Sequence, residues 1–374
     1  MKILIKQFLG KQHSWSVCGW GFAKSLKKLG HEVHLFSTDG IDHLPLDLKS
    51  NLIGFHKEGE NKLYGSMPSD NYDCQISYTA MLNFPQQLKH GSKNRFGIWV
   101  YEWSGKNILP AGFAKNYKYC DYLISPSTFG KKVFMDSNIP EDIIKVIPHG
   151  IDEELYLNNS KIQLPTNKKY KILVNLAQNH LRKNIPGMLE AYGKAFTNKD
   201  DVCLLIKGKD KPQKYPFDVS LNECLDNFKK NYPNHAEIKL INNFIVDMSE
   251  LYRSVDCVYT LANAEGFYFP GLEGLAAGKM SIAPNWGGQI DFLNESNSLL
   301  VSGKEVRANP KSMYWQQKNN AVWFEPSVED AAEKLRYSYN NYESLNKKVE
   351  SQRVELIKEY SWDNVASNFI KLCN

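Results

Sequence analysis

Short β-prone apolar runs alternate with amphipathic helical patterns along almost the whole chain, which restricts the fold to parallel sheets covered by helices. The series opens with Lys2–Ile5, passes through a helix that ends at Gly30, and returns to an apolar run at Val33–Phe36. In that helix Phe22, Leu26 and Leu29 repeat at helical spacing, Lys24, Lys27 and Lys28 take the other face, and Gly30 stands where a left-handed cap belongs. Gly19 and Gly21 fall inside it, which implies either close backbone approach or a late helix start. Further strands are predicted at Cys74–Tyr78, Phe96–Tyr101, Tyr122–Ser125 and Val146–Ile147, with helical connections at Ala111–Tyr119 and Thr128–Asp136. The rhythm breaks at Pro148–Asp152, and the polar, aperiodic stretch to Lys169, with Pro165, reads as a linker. It resumes with Tyr170–Leu176, Val202–Ile206, Glu237–Ile241, Cys257–Leu261 and Met280–Ala283. Gly303–Asn320 reads as an insertion or long loop.

The organisation expected is therefore α/β: a Rossmann-like domain over 1–152, a linker over 153–169, a second Rossmann-like domain over 170–358 and a last helix over 359–374. Two such domains facing each other form a cleft at the C-terminal ends of their strands. At 374 residues and 42% hydrophobic residues the chain is able to bury two cores. The net charge of +5 favours anions slightly and is too small to argue a nucleic-acid protein. Seven cysteines without a CxxC pair point to a reducing compartment. No apolar run approaches the roughly 18 residues of a membrane span, and Met1–Ile5 is too short for a signal segment, so the expected location is cytoplasmic.

The segment most able to carry chemistry is Asn263–Gly278, which follows a strand and opens a helix. Pro270 suits the first helical turn, Gly278 the helix end, and Glu273 the positively polarised start of the helix. Glu265 stays on the preceding loop, so both carboxylates are expected at one cleft mouth, with the backbone N–H groups of Gly266 and Phe267 between them. Such a site suits a hydroxyl-rich, phosphorylated ligand. Taken singly, either acid also reads as a helix-start or solvated loop residue. The chain contains no Asp-x-Asp, no His/Cys cluster with metal spacing and no GxGxxG after its first strand, which disfavours a metal site and a nicotinamide or flavin enzyme.

Glu265-x7-Glu273, followed by Gly278-Lys279 and a strand, resembles the retaining glycosyltransferases of the GT-B fold, the large family 4 or group 1 type that contains sucrose synthases and bacterial mannosyl- and glucosyltransferases. Gly30-His31-Glu32-Val33, Ile124–Phe129, Val146–Asp152, Arg182-Lys183-Asn184 and Tyr360-Ser361-Trp362-Asp363 fall in that family's order. The resemblance implies that Glu273 hydrogen-bonds the nucleotide ribose, Glu265 holds donor-sugar hydroxyls, and Lys183 with Arg182 neutralises the diphosphate. Gly266, Phe267 and Tyr268 would complete the donor side, and the last helix would cross back to the N-terminal domain. Gln12–Ser16 replaces the family's Gly-Gly turn, leaving Ser14 and Trp15 as donor-side candidates there. Gln178-Asn179-His180 stands where an arginine is expected, and Tyr78-Thr79 where a histidine is. Glu102 and Trp286 are candidates for the acceptor side, while Lys207, Lys209, Lys211 and Lys214 read as a solvated run.

The activity so implied is metal-independent, retaining transfer of a sugar from a nucleoside diphosphate, UDP ahead of GDP, to a hydroxyl acceptor, without a cofactor. A glycan, a lipid-linked sugar and a modified nucleic-acid base all remain open as acceptors. Nucleic-acid or membrane-surface contact, peripheral membrane attachment, and the choice between monomer and dimer stay open too. The rival readings are a nucleotide-sugar epimerase of the same fold and a non-catalytic nucleotide-sugar-binding subunit.

Overall fold

The computed structural model describes residues 1–373 apart from 12, 58–61, 70, 90–91, 111, 211–212 and 314–319. Gln12, Ala111 and Lys211 therefore lie outside the described residues. Two compact units result: Met1–Tyr101, Gly105–Glu153 and Lys358–Asn374 form one, Glu102–Ser104 and Glu154–Ile357 the other.

The first unit is an eight-stranded sheet of β1 (Lys2–Gln7), β2 (Glu32–Ser37), β3 (Leu52–His56), β4 (Leu63–Gly65), β5 (Tyr72–Tyr78), β6 (Ser92–Ile98), β7 (Tyr122–Ser125) and β8 (Ile144–Val146). Its order is β4-β3-β2-β1-β5-β6-β7-β8, with β4 antiparallel and the other strands parallel. Central β1 buries Ile3, Leu4 and Ile5 completely, as a strand covered on both faces must. Helix α1 (Ser14–Lys28) returns the chain to β2 through a Schellman motif: Gly30, at φ +85°, donates to Lys27 O and His31 donates to Leu26 O. A Cβ at Gly19 would lie 2.6 Å from Gln7 Nε2, and one at Gly21 would fall within the Trp362 ring. Because the helix begins at Ser14, close approach rather than a late start explains both glycines. Helices α2 (Phe84–Gln87) and α3 (Thr128–Asp136) complete the unit with the C-terminal helix Trp362–Ile370. That last helix lies against α1, with Trp362 and Phe369 at 5.2 and 5.4 Å from the Phe22 ring.

In the second unit β9 (Tyr170–Asn175), β10 (Val202–Lys207), β11 (Glu237–Ile241), β12 (Cys257–Tyr259), β13 (Met280–Pro284) and β14 (Ser298–Val301) run parallel. Their order, β11-β10-β9-β12-β13-β14, is the 3-2-1-4-5-6 winding of a Rossmann sheet. Its helices are α4 (Glu153–Leu157), α5 (Ile185–Ala195), α6 (Leu221–Asn231), α7 (Met248–Ser254), α8 (Phe269–Ala276), α9 (Val328–Glu350) and α10 (Arg353–Glu359). One core gathers Tyr170, Ile172, Val174, Leu204, Ile206, Tyr259 and Ile282 from the sheet with Leu189, Tyr192, Phe228 and Leu335 from the helices.

Several boundaries differ from the sequence expectation. The strand expected at Phe96–Tyr101 ends at Ile98, because the chain turns away to place Glu102–Ser104 in the other unit. The strand expected at Val146–Ile147 is Ile144–Val146, and the helix expected at Ala111–Tyr119 is a 3-10 turn over Ala114–Tyr119. Of the linker expected over 153–169, residues 154–169 are docked on the second unit: Arg253 donates to Ser160 O at 2.7 Å and Leu155 O at 2.6 Å, and Ile162 N donates to Ser254 Oγ at 2.9 Å. The expected insertion at 303–320 instead begins with β15 (Gly303–Arg307), which forms an antiparallel ribbon with β16 (Val322–Pro326).

Candidate functional site

After β9 the chain makes two tight turns that present Arg182 and Lys183. His180, extended at φ −105°, caps the 3-10 turn Leu181–Lys183, its Nδ1 accepting from Arg182 N at 3.1 Å. The His180 ring stacks on Phe217 at 4.8 Å, and burial followed by the charges of Arg182 and Lys183 lowers its pKa to about 3. It is therefore a neutral acceptor at its cap position. Asn184 follows at φ +51°, a conformation asparagine tolerates, and its Oδ1 accepts from Gly187 N to cap α5. Its Nδ2 donates to Leu261 O at 3.1 Å, and Asn263 N donates to Arg182 O at 2.7 Å. The two cations are thus fixed beside the loop that follows β12.

That loop supplies Glu265. Arg182 Nη1 donates to Glu265 Oε2 at 3.1 Å and to Ala264 O at 2.8 Å, while Lys183 Nζ donates to Glu265 Oε1. Arg182 Nη2 meets Glu102 Oε1 at 3.2 Å. The side chains of Glu265, Arg182, Lys183 and Glu102 are 8, 9, 15 and 16% exposed, so the cluster is close to dry. Burial opposes ionisation of Glu265, but Lys183 and Arg182 outweigh it and hold the carboxyl below its ordinary range. Burial is the first cause lowering the Lys183 pKa and raising that of Glu102, the latter against the pull of Arg182.

Glu273 belongs to a separate network. Pro270 occupies the first turn of α8 and Gly278, at φ +74°, follows its end, as expected. Glu273 itself is the fifth residue of the helix, just past the first turn in which it was expected. Tyr156 Oη donates to it at 3.1 Å, and Tyr252, which also takes a hydrogen bond from Asn175 Nδ2 at 2.8 Å, is a second partner. Burial raises this carboxyl to about 7, with both tyrosines opposing the rise. The two acids expected to face one mouth alike thus sit in different electrostatic settings.

Between them, Gly266, Phe267 and Tyr268 are buried, and Tyr268 enters α8 at φ +67°. A Cβ at Gly288 would collide with Gly266 O, so the Trp286-Gly287-Gly288 glycines serve close packing of two loops as well as a turn. Trp286 donates from Nε1 to Glu305 at 2.8 Å and stacks at 6.2 Å on Phe324 of β16. Glu102, expected on the acceptor side, is instead paired with Arg182 in the second unit. Ser14 and Trp15 belong to the first unit: Ser14 is exposed at the start of α1, and Trp15 stacks on Phe8 at 5.7 Å and Tyr78 at 5.3 Å. The Tyr78 hydroxyl is hydrogen-bonded to His149 Nε2 at 3.0 Å. Lys207 is half-buried at the end of β10, and Lys209 is exposed. Sequence reasoning does not single out Tyr156, Tyr252 or Asn175, which carry no local signal; Asn184 stands in the Arg182-Lys183-Asn184 motif, and the structure adds its role as the cap of α5.

Residues 158–354 match the family described as glycosyl transferases group 1, a span that includes Arg182, Lys183, Glu265 and Glu273. The chain is 22% identical to an uncharacterized glycosyltransferase of Methanocaldococcus jannaschii, over 94% of this chain and 92% of that one. Among solved structures, HepE of Anabaena in complex with UDP matches 100% of this chain and 99% of its own at a TM-score of 0.70 and 13% identity. A glycosyltransferase from Rickettsia africae matches over 100% and 98% at a TM-score of 0.68 and 19% identity. These likenesses establish a shared fold, two Rossmann-like units of the GT-B type.

Proposed function

The chain belongs to the glycosyl transferases group 1 family, and from that premise we propose that it transfers a sugar from a nucleoside diphosphate to a hydroxyl acceptor with retention and without a metal. The observation that carries the reading is the dry cluster in which Arg182 and Lys183 converge on Glu265. A departing nucleoside diphosphate gains negative charge as the C1–O bond to phosphate breaks, and two fixed cations stabilise that charge more than they stabilise the bound donor. Glu265, kept ionised by those cations, accepts hydrogen bonds from sugar hydroxyls and so orients the ring. Glu273 takes the ribose hydroxyls, with Tyr156 and Tyr252 aligning its carboxyl. The acceptor hydroxyl bonds to C1 on the face the diphosphate leaves, and its proton passes to the departing phosphate oxygen, so no separate carboxylate base is required. The Anabaena neighbour has been crystallised with UDP and with UDP-glucose, which supports placing uridine ahead of guanosine.

The reading is tested by melting the protein with UDP-, GDP-, ADP- and TDP-sugars, since a ligand that binds the folded state alone raises the melting temperature. One nucleotide series should stabilise the wild type, and Glu273→Ala and Lys183→Ala should each abolish the shift. A panel without any shift refutes the donor assignment. Nucleoside diphosphate released only when acceptor is added separates transfer from epimerisation and from silent binding, and the anomeric configuration of the product tests retention.

A further inference from the structure

We propose that Glu102 is a resident counter-anion of the donor site: it holds Arg182 when no donor is bound and yields it to the donor diphosphate, so that it sets donor affinity without touching the sugar. The inference rests on the reading of Arg182 and Lys183 as the diphosphate cations.

Glu102 is held in place by its neighbours. Trp103 is fully buried, and Ser104 exchanges both backbone hydrogen bonds with Val322, at 3.0 and 2.8 Å. These anchors fix the backbone beside Glu102, whose carboxylate reaches Arg182 Nη2 at 3.2 Å. Charge balance then separates the two acids. Glu102 and Glu265 offset Arg182 and Lys183, so a diphosphate bearing about two further negative charges meets a balanced cluster and gains from the withdrawal of one carboxylate. Glu265 engages both cations, whereas Glu102 engages Arg182 and has its ionised form opposed by burial. Glu102 is the weaker partner and the one to be displaced. A buried ion pair of this kind contributes little to net stability so long as Arg182 keeps an anionic partner, so exchange of Glu102 for a ligand anion costs the fold little.

The test is calorimetric titration of the intact chain with inorganic pyrophosphate, UDP and GDP, comparing wild type with Glu102→Gln. The variant should bind pyrophosphate and the preferred nucleotide about tenfold more tightly, because the competing charge is gone while Arg182 remains. Glu102→Asp, which keeps the charge, should stay near wild type. A purely structural role predicts the opposite sign, and equal or weaker binding of every probe by a folded Glu102→Gln overturns the proposal. Tighter pyrophosphate with no nucleotide bound by either protein leaves Glu102 as a counter-anion and removes the donor reading. Nucleotide bound equally by both proteins does the reverse, and no binding of any probe to either protein removes both. Should the variant not fold, the 13C resonance of the Glu102 carboxylate in labelled wild type must move on saturation with pyrophosphate; a resonance that stays in place overturns the proposal.

Discussion

Glu265 and Glu273 lie eight positions apart in sequence and differ in charge behaviour because their neighbours differ: two cations surround one, two tyrosine hydroxyls the other. A carboxyl raised from 4.5 to about 7 in the folded state contributes stability that is complete below pH 4.5 and is lost as pH rises through 7. Glu273→Gln should therefore melt above wild type at pH 8, by about 2 kcal/mol after allowance for partial exposure, and close to it at pH 4.5. A thermal scan against pH checks this, and an unchanged difference across the range would refute the assigned environment. For the Lys183–Glu265 pair a double-mutant cycle with alanine should return a coupling of about 1–3 kcal/mol, because each single change leaves a nearly dry charge poorly compensated. The residue types at 182, 183, 265 and 273 were legible because each stands in a short local pattern. Their partners were not: Tyr156 is 117 positions from Glu273, and no nearby residue marks it as the donor to that carboxyl.

At the scale of elements, helix α1 shows which glycine arguments a sequence settles. Gly30 has open space around its missing Cβ and a φ of +85°, so Gly30→Ala should lower stability by about 1 kcal/mol through backbone strain alone. Gly21 has helical geometry, yet its Cβ would occupy the Trp362 ring, so Gly21→Ala should lower stability by about 2–3 kcal/mol. Denaturant midpoints of the two variants, with m unchanged, measure that order, and equal losses would refute it. The cap was readable from local periodicity, whereas the ring over Gly21 arrives from the far end of the chain. The β15–β16 ribbon escaped notice for a related reason: Lys304, Glu305 and Arg307 leave Val306 as the apolar member of β15, so no alternation marks the strand. Its pairing is visible only across the ladder, where Lys304 meets Glu325 at 3.1 Å.

For the whole molecule the consequence is that the first unit is discontinuous, built from residues at both ends of the chain. Trp362 and Phe369 are at most 6% exposed and pack on Phe22, with Phe369 also 4.2 Å from the Phe96 ring. Truncation after Lys358 should therefore cost the first unit several kcal/mol of burial, at about 3–5 kcal/mol per large aromatic removed. Hydrogen exchange should show protection lost in β1 and β5 and kept in β9 and β10; equal loss in both sheets would refute the assignment. What the sequence determined by itself is set over a dozen or so neighbouring residues: the alternation of strand and helix, the caps, and the loop carrying Glu265 and Gly266 into the helix of Glu273. Only the tertiary structure decided that residues 154–169 dock on the second unit, that Glu102 pairs with Arg182, and that the ring of Trp362 lies over Gly21. The physical reason is range: backbone periodicity and capping are local energies, while a buried charge or an aromatic face takes whatever partner the fold brings to it from far along the chain.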